Sequence, residues 1–387
     1  MELLARADAR IERLLDLLTA LKDGPVSRET FDSFSDVTGD ATSHEVNAAI
    51  HRALSSAETV SEWKQAVSRF IRSVASALDR EGEPAYPGGH LLARLTEENS
   101  LIAEGLARLQ EEGARTKRSG SSLEDVRSLA LSLEFIKDHY VALQNELFPL
   151  FERASSESSC VTLMWEMQDE ALAALSALCL ESASGELAFW KALGEFVITA
   201  GTLAYRERKI LFPVAYRAIP ESLFATALDA SASPDTSNTA DPSFTPDAES
   251  TRSTEPVFRS PTGSLSNKEL EAIFGVLPVD IAFIGNDDRV RYYSDPPHRV
   301  FPRSPAVIGR LVQNCHPPKS VATVEKILSS FKEGTSSCAE FWLTMKGAFI
   351  HIRYYAVRDA EGKYMGTLEV SQDVTAIRSL EGEKRLL

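Results

Sequence analysis

FIKDHYVALQNELFPLF (Phe135–Phe151) and its partial echo KILFPVAYR (Lys209–Arg217) are the stretches on which the fold turns. Each closes an apolar run of helical period with Leu-Phe-Pro: ELFPLFER in one, ILFPVAYR in the other. Proline has no amide hydrogen, and its ring collides with the carbonyl four residues back. Pro149 and Pro213 are therefore expected to kink or end two helices at matching levels, the mark of an internal repeat. A chance recurrence of three residues is the alternative.

Outward from these stretches the pattern stays helical. Segments near His90–Glu112, Ser122–Phe151, Cys160–Leu180 and Glu186–Ile219 are joined by short connections, which predicts an antiparallel four-helix bundle over 85–222. Upstream, Ile11, Leu14, Leu15, Leu18 and Leu21 repeat near a 3.6 period. Trp63, Val67, Phe70, Ile71 and Val74 form a second stripe before the break EGEPAYPGG, Glu81–Gly89. This predicts a separate helical domain over 1–82.

Beyond the bundle, 223–262 is rich in Ser, Thr, Asp, Pro and Ala and poor in large apolar side chains. Such a segment buries too little surface to offset chain entropy, so a disordered linker is expected. From Ser264 the texture changes. A capped helix with Ser266 or Asn267 at its N-cap precedes VDIAFIG and RVRYYSD, which alternate around NDD as a hairpin. A helix from Ser320 then leads to CAEFWLTM, FIHIRYYAVRD and YMGTLEVSQDVT. Two strands, helices and a three-strand meander give an α+β domain over 263–380 with an antiparallel five-stranded sheet; 381–387 is expected to be a helical extension.

Composition sets bounds on function. The 387 residues carry 56 acidic and 41 basic side chains, a net charge of −15, with 43% hydrophobic residues. An acidic chain is repelled by nucleic-acid phosphates and anionic membranes, so neither is an expected partner. The N-terminal run is interrupted by Arg, Asp and Glu, unlike a signal peptide, and no stretch offers the ~18–20 uninterrupted apolar residues of a membrane span. Cys160, Cys179, Cys315 and Cys338 lack metal-binding spacing and are expected to be free thiols. A cytoplasmic protein is the resulting expectation. No phosphate loop, nucleophile elbow or paired-histidine zinc motif appears, so no enzymatic activity is expected.

A metal centre inside a bundle needs inward His and carboxylate side chains on several helices. The bundle has two histidines, His90 and His139. Four residues after His139 stands Leu143, then Gln144, while Glu146 lies about 10.5 Å further along the axis. Glu207 in YRERKILFP is the best acidic candidate on the last helix. In order, GHLLARLTEEN, HYVALQNELFP, MWEMQDE and YRERKILFP resemble the helices of a hemerythrin-like domain, in the form fused between a short helical domain and a PAS domain. The resemblance implies metal ligands at His90, His139 and Glu207. It also shows replacements: Ala93 and Gln168 stand where the family carries histidines, and Gln144 where it carries an acid. With that inventory a carboxylate-bridged iron pair is not expected, although iron remains the metal such a site would take. Otherwise His90 and His139 are hydrogen-bonded polar core residues.

The segment from Pro261 onward is similar to the PAS module of the same family, and Asp373-Val374-Thr375 resembles the Asp-Ile-Thr that ends many PAS domains. Asp373 can cap a helix starting near Thr375. A PAS cavity would be walled by His316, Cys315 and His298, with His316 either ligating a haem or ordering its loop; His351 alternates with Ile350 and Ile352 and faces outward. Arg291, Arg299, Arg303 and Arg310 form either an anion-binding patch or a solvated, salt-bridged face. The resemblance implies a sensory or regulatory protein whose PAS module meets a protein partner, a small-molecule ligand or a second copy of the chain. The alternative is metal-dependent binding or sensing of dioxygen or nitric oxide by the bundle.

Overall fold

The computed structural model describes residues 2–120, 122–179, 186–224, 257–260, 262–297 and 299–384. It divides into two compact units, one including Met1–Asp229 and the other including Ala230–His316 and Ser320–Leu387. Each is described by itself.

The first unit is helical. Its main elements are α1 (Glu2–Ala20), α2 (Ser43–Ser55), α3 (Lys64–Glu81), α4 (Leu91–Ser119), α5 (Glu124–Ser132), α6 (Ile136–Ala142), α7 (Phe148–Ala154), α8 (Cys160–Cys179), α9 (Glu186–Arg206) and α10 (Phe212–Ala218). The expected boundary between 1–82 and 85–222 does not separate two bodies. Val46, Ala48, Ala49, Ile50, Ala53 and Leu54 are all buried on α2, and a helix apolar on so many sides must be covered all round. It packs on α1 and α3 and also on α8 and α10. Asn47 Nδ2 donates to the Glu157 carbonyl at 3.0 Å, and Ser61 Oγ donates to Glu166 at 2.5 Å.

In the remainder, α4 packs on α9 and α5, α9 on α8, and α8 on α5, closing a ring. The helix expected over Ser122–Phe151 is interrupted at Leu133–Phe135, where Leu133 fills the space left by Gly105 of α4. The run Glu186–Ala218 has the length and apolar composition to cross a membrane. Here its Phe189, Phe196, Leu203 and Phe212 are buried inside the unit.

Neither Pro149 nor Pro213 ends its helix. Each instead follows one π turn, Leu143–Leu147 before α7 and Glu207–Leu211 before α10. Phe148 N–H donates to Leu143 C=O and Phe212 N–H to Glu207 C=O, both five residues back. The cause is local. A proline ring crowds the carbonyl four residues earlier, and widening the turn relieves that crowding while the helix continues.

The second unit opens with a hairpin, β1 (Val257–Ser260) and β2 (Gly263–Ser266). The linker expected over 223–262 thus ends in a strand; its residues 225–256 and 261 lie outside the described residues. Ser266, with Glu269, forms a capping box at the start of α11 (Asn267–Val276). The main sheet comprises β3 (Asp280–Gly285), β4 (Val290–Tyr293), β5 (Cys338–Met345), β6 (Ala348–Arg358) and β7 (Tyr364–Asp373), with α12 (Pro318–Glu333) between β4 and β5. Its order is β4-β3-β7-β6-β5, antiparallel throughout. Lys346 and Gly347, both at positive φ, make the tight β5–β6 turn. Asp373 accepts from Thr375 N–H at 2.9 Å at the start of α13 (Thr375–Arg378). The helix expected over 381–387 is absent from 381–384, where Gly382 takes φ 67°, and 385–387 lie outside the described residues.

Candidate functional site

The π turns and α4 bring the chemistry of the helical unit to one place. His139 on α6 is almost fully buried. Its Nδ1 lies 2.8 Å from Glu98 Oε2 on α4, and its Nε2 lies 3.0 Å from Glu207 Oε2, the first residue of the second π turn. Asn99 Nδ2 also donates to Glu207 Oε2 at 2.8 Å, and Arg94 donates to Glu98 at 3.0 Å and to Glu146 at 2.7 Å. Charges of alternating sign thus run Arg94, Glu98, His139, Glu207 from the surface into the core.

Burial alone would lower the His139 pKa. The charge and hydrogen bonds of Glu207, reinforced by Glu98, outweigh it and raise the value to about 9. Each ring nitrogen faces a carboxylate oxygen, an arrangement that favours the imidazolium. Burial likewise pushes the Glu98 carboxyl up, but His139 and Arg94 hold it below its usual range. Beside them Tyr140 is buried with its hydroxyl unpartnered, its pKa raised by burial and then by the Glu207 charge.

The three ligand candidates separate. His139 and Glu207 meet; His90 does not join them. It is the N-cap of α4, its Nδ1 accepting from Leu92 N–H at 3.1 Å, and its ring packs on Phe224 with centroids 4.3 Å apart. Burial lowers its pKa. Glu98 was missed in the sequence because TEEN reads as solvent-facing charge. Gln144 and Gln168 face one another, Gln144 Nε2 donating to Gln168 Oε1 at 2.9 Å and Gln168 Nε2 left unpartnered.

This set does not fit an iron pair. An imidazole must offer a nitrogen lone pair to a metal, and both nitrogens of His139 are committed to carboxylates. Among the described residues no three His, Cys, Asp or Glu side chains are arranged to hold a metal ion.

In the second unit, His316 lines a cavity of about 20 Å³ with Ile284, Val312, Tyr354 and Thr367 among its walls. That is space for about one water molecule, where small-molecule sites run to ~300–1,000 Å³. His316 Nδ1 lies 2.8 Å from the Val312 carbonyl, so the ring orders the loop before α12, and the site does not fit a haem. Cys315 is half-buried at the end of a short 3₁₀ turn, its Sγ directed at the Leu311 carbonyl. His298 lies outside the described residues. His351 bridges to Glu340 at 3.1 Å on the outer face, opposite the buried Ile350 and Ile352.

The arginines are not one solvated face. Arg291 is exposed against Asp287 at 3.0 Å. Arg310 is buried. Arg299 donates to the Phe301 carbonyl and to the Ser294 carbonyl. Arg303, partly buried, lies 3.6 Å from the buried Glu369, leaving Arg303 Nε and Glu369 Oε2 without hydrogen-bond partners. Register places Glu369 between Ala282 of β3 and Tyr354 of β6. Asp280, on the same face, accepts from Val300 N–H at 2.6 Å, and burial raises its pKa despite Arg299.

Residues 270–375 match the family model of a PAS domain. Among solved structures, a C-terminal domain from Streptococcus mutans is 32% identical over 33% of this chain and 98% of that one, with a TM-score of 0.31. A sensory box sensor histidine kinase from Vibrio cholerae is 13% identical over 27% of this chain and 89% of its own, TM-score 0.22. The PAS domain of a protein from Colwellia psychrerythraea is 13% identical over 28% and 97%, TM-score 0.22. No curated protein matches the chain.

Proposed function

With residues 270–375 a PAS domain, we propose that this is a sensory or regulatory protein. Its PAS domain meets a protein partner or a second copy of the chain, and its helical unit is a hemerythrin-like bundle that has kept the fold and given up the metal. The observation that carries the first part is the filled interior of the five-stranded sheet domain. A cavity of about 20 Å³ leaves little for a ligand, whereas β5 is an edge strand carrying Trp342, 60% exposed, and Phe341. Edge strands and exposed aromatics are what partner chains engage. The role is non-catalytic and cytoplasmic.

Support for the second part is chemical. The imidazolium of His139 supplies the positive charge between Glu98 and Glu207 that a metal would supply, and Gln144 bonds Gln168 directly, although Gln168 Nε2 is left unpartnered. Convergence of His139, Glu98 and Glu207 is also what favours the second reading, iron-dependent binding of dioxygen or nitric oxide.

Metal analysis and absorption spectroscopy of the purified full chain test the choice. We expect no stoichiometric iron and no oxo-bridge or haem bands; finding them overturns the proposal in favour of the second reading. Gln144→Glu combined with Gln168→His is then expected to confer iron binding. If it does not, the correspondence of those two positions with the family's ligands is wrong.

A further inference from the structure

We propose that the groove between α3, α8 and α9 of the helical unit is a binding site for an anionic amphiphile, a long-chain carboxylate. The groove measures about 680 Å³, within the ~300–1,000 Å³ of small-molecule sites. From Lys64 to Ala75 along α3 it runs about 16 Å at helical rise.

Its chemistry has two parts. Ile71 and Ala75 of α3, Met167 of α8, and Val197 and Ile198 of α9 make apolar walls, and Ile198 is left 70% exposed. The α3 side carries Lys64, Arg69 and Arg72. Lys64 is held by Glu170. Arg69 donates to the Leu21 carbonyl and Gln65, and Arg72 to the Ser68 carbonyl, with no salt bridge to an acid among the described residues. Glu170 is the one acid among the lining residues and is paired with Lys64, so in a chain of net charge −15 Arg69 and Arg72 leave the groove with a positive balance.

Two further observations point to an occupant. Gly105 and Gly113 have packing reasons: a Cβ there would meet Leu133 at 2.4 Å and Leu193 at 2.7 Å. Gly201, in the middle of α9, lines the groove, and a Cβ there would meet nothing within 4 Å. Gly194 of α9, which does not line the groove, is equally open; glycine inside a helix costs about 1 kcal/mol relative to alanine, and at Gly201 the missing side chain leaves the groove clear.

Behind the groove, one turn past Thr202, stands Arg206, only 2% exposed. Its Nη1 contacts Met167 Sδ at 3.2 Å, and no carboxylate lies within salt-bridge reach among the described residues; the adjacent Glu207 is committed to His139 and Asn99. A buried guanidinium without a counter-ion is costly. Met167 is a flexible side chain separating it from the groove. An acidic head group that displaces Met167 supplies the missing charge, while the tail lies along Ile71, Val197 and Ile198.

The test titrates the full chain with laurate below its micellar concentration, with acetate and dodecyltrimethylammonium as controls, following heat of binding and thermal midpoint. Laurate is expected to saturate at one per chain and raise the midpoint; neither control should. Gly201→Leu fills the groove without a backbone clash and is expected to abolish binding in a folded protein. Arg206→Met is expected to keep or raise the midpoint without laurate and to weaken laurate by at least about tenfold. Equal binding of the cationic surfactant, binding that survives Gly201→Leu, or an Arg206→Met protein of lower midpoint and unchanged affinity overturns the proposal. So does failure of laurate to bind, which would assign the groove to an acidic peptide or to no occupant.

Discussion

In the helical unit, His139 sits between Glu98 and Glu207 at 2.8 and 3.0 Å, with Asn99 and Arg94 completing the chain. In the PAS domain, Arg303 and Glu369 stand 3.6 Å apart, each with a buried polar atom unpartnered. The two interiors hold the same kind of pair, a cation against a carboxylate; Glu207 Oε1 is unpartnered too, but Glu207 Oε2 is close-bonded to His139 and Asn99, whereas Arg303 and Glu369 are too far apart for a hydrogen bond. Desolvation of buried ions is repaid only where geometry and additional hydrogen bonds are good. The first pair is therefore expected to hold its unit together, and the second to be tolerated by its unit.

The largest effect expected from that contrast comes from removing one carboxylate at the helical centre. Glu207→Leu leaves the His139 imidazolium buried against Glu98 alone and should cost about 3–5 kcal/mol in urea unfolding. A loss under 1 kcal/mol would place the helical centre in the same class as the PAS pair.

Next comes pH. His139 binds its proton more tightly folded, with a pKa of about 9, than at the ordinary value of 6.5. Its contribution is complete below 6.5 and fades as pH rises through 9, a loss of about 3 kcal/mol. The Glu98 carboxyl, held low, works in the opposite sense and loses its contribution only on acidification. Stability followed from pH 6.5 to 9.5 should therefore fall in the wild type and stay flatter in His139→Gln. Parallel curves would show that His139 is not the titrating group.

A smaller change of opposite sign is expected in the PAS domain. Arg303→Met with Glu369→Leu replaces a poorly bonded ion pair by apolar side chains and should leave stability unchanged or raise it by about 1–4 kcal/mol. A clear loss in urea unfolding would show that the pair is better bonded than its 3.6 Å separation indicates. Smallest of all is Trp342→Ala on the exposed edge strand: within about 0.5 kcal/mol in stability, yet a loss of self-association or partner capture by light scattering. Retained association would move the contact elsewhere.

How much of this could be read beforehand differs between the units for physical reasons. Strand periodicity, the NDD and Lys346-Gly347 turns, and the Asp373 cap are local signals, and the sheet domain was legible from them. The burial of Arg310 and the pairing of Arg303 with Glu369 were not, since a sequence displays a charge without its surroundings. In the helical unit, the contact between Gln144 and Gln168 was not legible, since it joins two helices. Glu98 was hidden in a run of acids, and His90 was grouped with His139 although it caps α4. The hairpin strand Val257–Ser260 was lost in the composition of the segment preceding it.

The two π turns have one more consequence. Each inserts a single residue into an otherwise regular helix, rotating everything beyond it by about 100° relative to an uninterrupted α-helix. Because Leu143–Leu147 and Glu207–Leu211 precede matching Phe-Pro segments, both limbs are advanced by the same phase. Deleting one residue from either turn would throw the two Phe-Pro ends out of step, while deleting one from each would restore their mutual phase. The pair therefore behaves as a single coupled insertion, and neither turn can be edited in isolation.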